Sequence, residues 1–277
     1  MGLLLSFVLV SFAANSLITR YVASQDLLDP GLLTCVRFVA GAAALLLLAA
    51  AQRQRPQVGR RSVLPAVWLG VYAVCISYGY EHIGAAAGTF VFYATVLLTL
   101  LAVDVRAKAP VPPRRVIGAG IALAGVGVLA SEATSTVTPL GVGLLAATGA
   151  AWGLYTAAGR RDQDPVAATT GNFVVLAVLL LPAGVGLALI DVPVTGSGLI
   201  WGVGMGAGTT AFAYVAWYAC QQVLSATSAG TVQLVIPVLT AIGAVVLLDE
   251  TFTARLLLAA ALVGLGMERA RPRTPTP

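Results

Sequence analysis

Ten apolar runs, at about 2–23, 31–51, 63–80, 84–104, 115–131, 139–158, 166–190, 197–219, 224–247 and 254–268, take up almost the whole chain. A bilayer core about 30 Å thick needs roughly 20 mostly apolar residues per helix. Lipid offers no partner to exposed backbone amides, so runs of this length predict helices that each cross the membrane. The fifth and tenth runs are the shortest, and the polar stretches "YEHIG" and "CQQVLSA" separate runs three from four and eight from nine. Loops are short and punctuated by Pro, Gly and Arg, as in "RQRPQVGRR" at 53–61 and "KAPVPPRR" at 108–115. With 58% hydrophobic and 10% charged residues, the chain lies outside the composition of soluble domains.

Basic residues in short loops set the orientation. With a cytoplasmic amino terminus, 13 of the 16 Lys and Arg residues fall on the inside, among them Arg60, Arg61, Arg114, Arg115 and Arg160. The outside then receives Glu81, Glu132, Asp191, Asp249 and Glu250, with Arg20 and Arg255 near its surface. A multi-pass membrane protein with both termini cytoplasmic is expected. The net charge of +5 is therefore a topology signal and not a nucleic-acid footprint. The first run reaches Val22 without a basic leader or an obvious cleavage site and is expected to be a retained helix. Cys35, Cys75 and Cys220 sit in three different runs and read as free core thiols.

The chain repeats itself at about half its length. "AAAGTFVFYAT" at 85–95 is echoed by "TSAGTVQLVIP" at 227–237, and "FAANSLITR" from Phe12 by "WGLYTAAGR" from Trp152. "TCVRFV" at 34–39 parallels "TTGNFV" at 169–174, and "LAGVGVL" from 123 parallels "LVGLGME" from 262. The offsets are 142, 140, 135 and 139. Each half holds five runs, and an odd number reverses chain direction, so the second half enters the membrane upside down. The predicted fold is all-α and integral to the membrane: ten transmembrane helices as two inverted five-helix repeats around a central cavity. The repeats are expected at 1–135 and 136–268, with a cytoplasmic tail at 269–277. Inverted repeats with a midplane site characterise secondary transporters.

The "RF" of run two, "AAWGLYTAAGRR" in run six and the block from 211 to 253, with a Pro in the middle of run nine and "DE" before the last run, resemble the EamA-type transporters of the drug/metabolite transporter superfamily. The resemblance extends from Phe12 to about Gly266. Departures are Phe12-Ala13 in place of Trp-Gly and Thr95 in place of a frequent Pro. The resemblance implies export or exchange of small organic solutes, amino acids included, across a bacterial inner membrane; the two inverted bundles are expected to open the cavity alternately by rocking.

Helical spacing selects the cavity candidates. Phe12, Asn15 and Thr19 share a stripe, as do Trp152, Tyr155 and Thr156, and as do Thr210, Tyr214, Trp217 and Gln221. Gly88 and Gly230 permit close helix approach, with Phe92, Tyr93 and Gln233 near them, and Tyr78 stands at the external rim. Each has a plainer alternative: a back-bonded hydroxyl, a packing glycine or an interfacial aromatic. Arg37, about 10 Å into run two, needs partners in the membrane. It either ties helix ends through backbone carbonyls, near Glu81 or Asp249, or captures a substrate carboxylate or controls a gate.

All eleven acidic residues lie at run ends or in loops. This argues against a cationic substrate and for a neutral or zwitterionic one, such as an amino acid with an aromatic side chain. A single His, no GxSxG and no deep carboxylate pair argue against an enzyme. No catalytic residue, metal or cofactor is expected; the partners are a small solute and the bilayer, and a monomer is expected, with a dimer as the alternative. Export of another metabolite or a drug, and a channel or scaffold role, are the competing functions.

Overall fold

The computed structural model describes residues 2–82, 85–130, 138–160, 164–247 and 254–270. Its elements are α1 (Gly2–Ser24), α2 (Pro30–Ala51), α3 (Arg60–His82), α4 (Ala85–Arg106), α5 (Pro113–Ala130), α6 (Pro139–Gly159), α7 (Pro165–Ala188), α8 (Gly196–Gln221), α9 (Ala226–Leu247) and α10 (Ala254–Ala270). Among the described residues, seven helices, α1–α3 and α6–α9, are long and apolar enough to cross a membrane. Ten were expected. At 18 and 17 residues, α5 and α10 are the shortest of the set, and α4 opens with side chains outside the described residues.

Two helices depart from uniform α geometry. Residues Met205–Phe212 of α8 form a π-helix, a wider turn that often marks a functional site. α9 breaks at Leu234, between Ala226–Gln233 and Val235–Leu247. Pro237 accounts for the break, because it has no N–H to offer the Gln233 carbonyl four residues earlier. At the corresponding place in α4, Thr95 returns its hydroxyl to the Val91 carbonyl at 2.8 Å and the helix is continuous.

α2 and α7 begin identically. Asp29 and Asp164 each precede a Pro at the first helical position, and their carboxylates accept from Leu32 N and Ala167 N, both at 3.0 Å. The Asp supplies an acceptor for an orphan amide and the Pro presets the first turn. The two caps are separated by the same offset of 135 as the motifs that follow them.

The chain divides into two compact units that are not its sequence halves. Unit 1 comprises residues Met1–Tyr78 and Leu154–Val223; unit 2 comprises Gly79–Gly153 and Leu224–Pro277. In unit 1, α2 lies antiparallel to α7: the Cys35 thiol donates to the Leu180 carbonyl at 3.7 Å, and nearer the other end the Thr170 hydroxyl donates to the Leu45 carbonyl at 3.5 Å. The α1–α2 and α7–α8 loops are joined by an isolated bridge between Leu28 and Val194. At the opposite end, Gln57 N donates to the Ala167 carbonyl at 2.9 Å and ties the α2–α3 loop to the start of α7.

In unit 2, α5 and α10 run antiparallel and touch backbone to backbone. A Cβ on Gly118 would meet the Gly266 carbonyl, and one on Gly266 would meet that of Gly118. Such contacts between small residues let helices associate in lipid, where apolar burial supplies no drive. α4 and α9 are also antiparallel, with Asp104 beside Thr227 and Leu97 beside Gly230. Large apolar side chains such as Leu3, Leu47, Val185 and Ile200 remain more than half exposed, as lipid-facing positions do.

Candidate functional site

Unit 1 holds a buried polar cluster where the π segment of α8 meets α1 and α2. The Asn15 Nδ2 donates to the Thr209 carbonyl at 3.2 Å, while its Oδ1 accepts from the hydroxyls of Thr209 and Thr210. Ala213 N bonds to the Thr210 carbonyl and not to that of Thr209, four residues back. The π segment thus ends in a tighter turn next to the Thr209 carbonyl that Asn15 meets. Gly206 makes the approach possible, since a Cβ there would overlap the Arg37 carbonyl.

Arg37 completes the cluster. It is 7% exposed; its Nε donates to Thr210 Oγ1 at 2.9 Å and an Nη donates to the Tyr214 hydroxyl at 3.3 Å. The Tyr72 phenol is a further hydrogen-bond partner. The backbone carbonyls expected of a structural arginine are replaced by side-chain hydroxyls. Of the two acidic neighbours suggested by the sequence, the Glu81 side chain and all of Asp249 lie outside the described residues. The named partners are neutral, so the guanidinium is hydrogen-bonded without being neutralised by them.

Aromatic rings surround this cluster. Tyr214 contacts Phe12, Tyr155 and Phe173 with ring centroids 5.5, 5.9 and 5.3 Å away. Trp217 packs on Phe12 at 6.1 Å and donates its indole N–H to Thr156 Oγ1 at 3.2 Å. Tyr218 stacks on Tyr155 at 5.0 Å and accepts from Asn172 Nδ2 at 3.1 Å. Phe12, Asn15, Tyr155, Thr156, Tyr214 and Trp217 are therefore in one connected group with Arg37. Thr19 is exposed, with its hydroxyl returned to the Asn15 carbonyl at 2.8 Å. Tyr78 stands elsewhere, at 44% exposure beside a groove of about 70 Å³ lined by Gly31, Thr34, Cys35 and Ser77.

Unit 2 holds the remaining candidates. Trp152 donates its indole N–H to Gln233 Oε1 at 2.5 Å, and Gln233 Nε2 donates to the Ala229 carbonyl at 3.1 Å. The stripe Trp152–Tyr155–Thr156 is thus divided, Trp152 belonging to unit 2 and the other two to unit 1. Phe92 and Tyr93 are buried, with ring centroids 4.5 Å apart. A Cβ on Gly230 would press on Leu97 and Leu100 at 3.2–3.3 Å, which fits a close α4–α9 approach. The surroundings of Gly88 lie outside the described residues.

Sequence reasoning left out Asn172, Tyr218, Tyr72 and Thr209. Asn172 lay in plain view within "TTGNFV" and Tyr218 within "AWYACQQ", but neither falls on the stripes chosen. Asp104 was placed at a helix end and is there, yet it is 1% exposed and accepts from both the N–H and the hydroxyl of Thr227, at 2.8 and 2.7 Å. It caps the start of α9 from another helix, a role no local pattern announces.

The geometry agrees with what known proteins indicate. The profile of the EamA-like transporter family matches residues 1–131 and again 139–267. An uncharacterized protein of Pseudomonas aeruginosa is 32% identical over 257 residues, covering 92% of this chain and 88% of its own. A protein of known crystal structure, 22% identical, superposes with a TM-score of 0.82 over 97% of this chain and 95% of that one, a likeness of fold. The repeated match, the apolar helices and the buried polar cluster define a multi-pass membrane protein of a transporter class. The chain belongs to the EamA-like transporter family.

Proposed function

We propose that this protein is a secondary transporter that moves small zwitterionic or neutral solutes, amino acids with aromatic side chains among them, by alternating access through a central cavity. The observation that carries the reading is Arg37: a guanidinium buried in a spanning helix, held by the hydroxyls of Thr210 and Tyr214 and walled by aromatic rings. A charge at such depth is expensive unless compensated. A substrate carboxylate would compensate it, and Phe12, Tyr155, Tyr214 and Trp217 would receive an aromatic or apolar side chain.

Ten spanning helices in two inverted repeats are part of the proposal. Supporting it, three helix pairs that correspond by sequence offset, α2 with α7, α4 with α9 and α5 with α10, each lie antiparallel. An inverted duplication generates such pairs, whereas a direct one gives parallel counterparts. Basic loop residues favour cytoplasmic termini in a bacterial inner membrane. Catalysis is no part of the reading.

The test is counterflow. Purified protein in liposomes loaded with unlabelled amino acids is to accumulate labelled phenylalanine, threonine or methionine saturably, and Tyr214→Ala and Trp152→Ala are to lower that uptake. Folded protein that accumulates none of the three overturns the amino-acid assignment.

A further inference from the structure

Among the described residues, Thr169 and Gln221 are two of the side chains of unit 1 whose buried polar atoms lack a hydrogen-bond partner. The Thr169 hydroxyl and both the oxygen and the nitrogen of the Gln221 amide are buried without a hydrogen-bond partner among the described residues. The residues are 0% and 1% exposed. Buried groups of this kind are rare in native proteins, and a trapped water commonly accounts for them. Thr169 even forgoes the usual resort of a helical threonine, the carbonyl four residues back, which its neighbour Thr170 takes at 2.7 Å.

Two contacts fix where these atoms lie. The Asn172–Tyr218 hydrogen bond and the Phe173–Tyr214 ring contact identify the facing stripes of α7 and α8. Thr169 precedes Asn172 by one turn, and Gln221 follows Tyr218 by one turn, so each continues its stripe. The helices run in opposite directions here, and both continuations lead to the same end of the unit. Thr169 is about 6 Å from the start of α7, and Gln221 is the last residue of α8.

We infer that Thr169 and Gln221 hold buried water in the seam between α7 and α8. A hydroxyl and an amide together offer donors and acceptors in the mixture that water complements. The occupant is neutral, because the α7 amino end and the α8 carboxyl end bring opposite partial charges to one place. From the water, the polar chain continues through Asn172 and Tyr218 to the Tyr155 carbonyl, which accepts from the Tyr218 hydroxyl at 3.5 Å. A wet seam can part and close again without stranding its polar groups.

A double-mutant cycle separates wet from dry. With water present, Thr169→Val and Gln221→Met each strand the water on one remaining partner and lower the melting temperature by about 2–4 °C. The double variant, which removes every dangling atom, loses less than the sum. In a dry seam each single change deletes an unpaired polar group and raises the melting temperature, which overturns the inference. If the variants do not fold, radiolytic hydroxyl-radical labelling of the unaltered protein decides. Rapid modification of Tyr218, which is 0% exposed, supports a water beside it; its absence overturns the inference. Losses seen only with an amino acid in the buffer assign the site to the solute instead and also overturn it.

Discussion

The Arg37 guanidinium and the Thr210 hydroxyl are joined at 2.9 Å, and the same hydroxyl donates to Asn15 at 3.2 Å. Three helices, α1, α2 and α8, are thereby linked through one threonine side chain, at the π segment of α8. The linkage is made of neutral partners around one charge.

Replacing Arg37 by Gln is expected to lower counterflow of a carboxylate-bearing solute by about 10- to 100-fold in kcat/KM, the range of a charge-assisted hydrogen bond of about 1.5–3 kcal/mol. Arg37→Lys does not restore it, since a point-like ammonium cannot reach Thr210 and Tyr214 as the planar fork does. The decarboxylated amine of the same solute, assayed in parallel, is to show no such loss.

Gly206→Ala forces a methyl into the Arg37 carbonyl. Overpacking against backbone costs about 1–3 kcal/mol. Gly204→Ala and Gly208→Ala meet nothing within 4 Å and are expected to be neutral or stabilising by up to about 1 kcal/mol. Thermal unfolding in detergent of the three variants side by side checks the contrast.

Trp152 and Gln233 are a buried pair, so removing one leaves the other's amide oxygen or indole N–H unsatisfied. Trp152→Phe and Gln233→Met are each expected to cost about 1–3 kcal/mol, and the double variant much less than their sum. Denaturation of all four proteins gives the coupling.

Asp104→Ala removes the acceptor for both donors of Thr227 and is expected to destabilise the start of α9 by about 1–2 kcal/mol, the size of a cap. Asp104→Asn keeps an oxygen and loses less. Hydrogen exchange over residues 226–233 reads the effect locally.

Pro237→Ala returns an N–H to α9 and lets the helix close across Leu234, as α4 does at Thr95. Slower hydrogen exchange at residues 234–238, a higher melting temperature and a severalfold lower counterflow rate are expected together. An unchanged rate would show that the break plays no part in transport.

The helices were legible because lipid imposes one rule on every span: an apolar surface and internally paired amides. The repetition was legible because counterpart motifs such as Ala87-Gly88-Thr89 and Ala229-Gly230-Thr231 survive in order, and the family profile matches each half of the chain. Helical spacing alone selects Phe12, Asn15, Tyr214 and Trp217, which the structure packs into one group. What spacing cannot convey is which stripe meets which. The π turn at Met205–Phe212 has no signature in "MGAGTTAF", since its partners are Asn15, 194 residues from Thr209, and the Arg37 backbone that Gly206 admits. The partners of Arg37 are not legible for the same reason: only the tertiary fold brings Thr210 and Tyr214 to it. The paired Asp-Pro starts of α2 and α7 are written in the sequence but stand at the margins of the apolar runs, where hydropathy gives no signal.

The interleaving of the two units has a consequence for how the protein is made. Unit 1 draws on Met1–Tyr78 and on Leu154–Val223, so a ribosome that has synthesised the first three helices has delivered only a fragment of it. α2 must wait for α7, more than a hundred residues later, before its antiparallel neighbour exists, and α4 and α5 in turn wait for α9 and α10. Unit 1 is therefore complete only when α8 has been made and unit 2 only with α9 and α10, each closed by helices from the later part of the message.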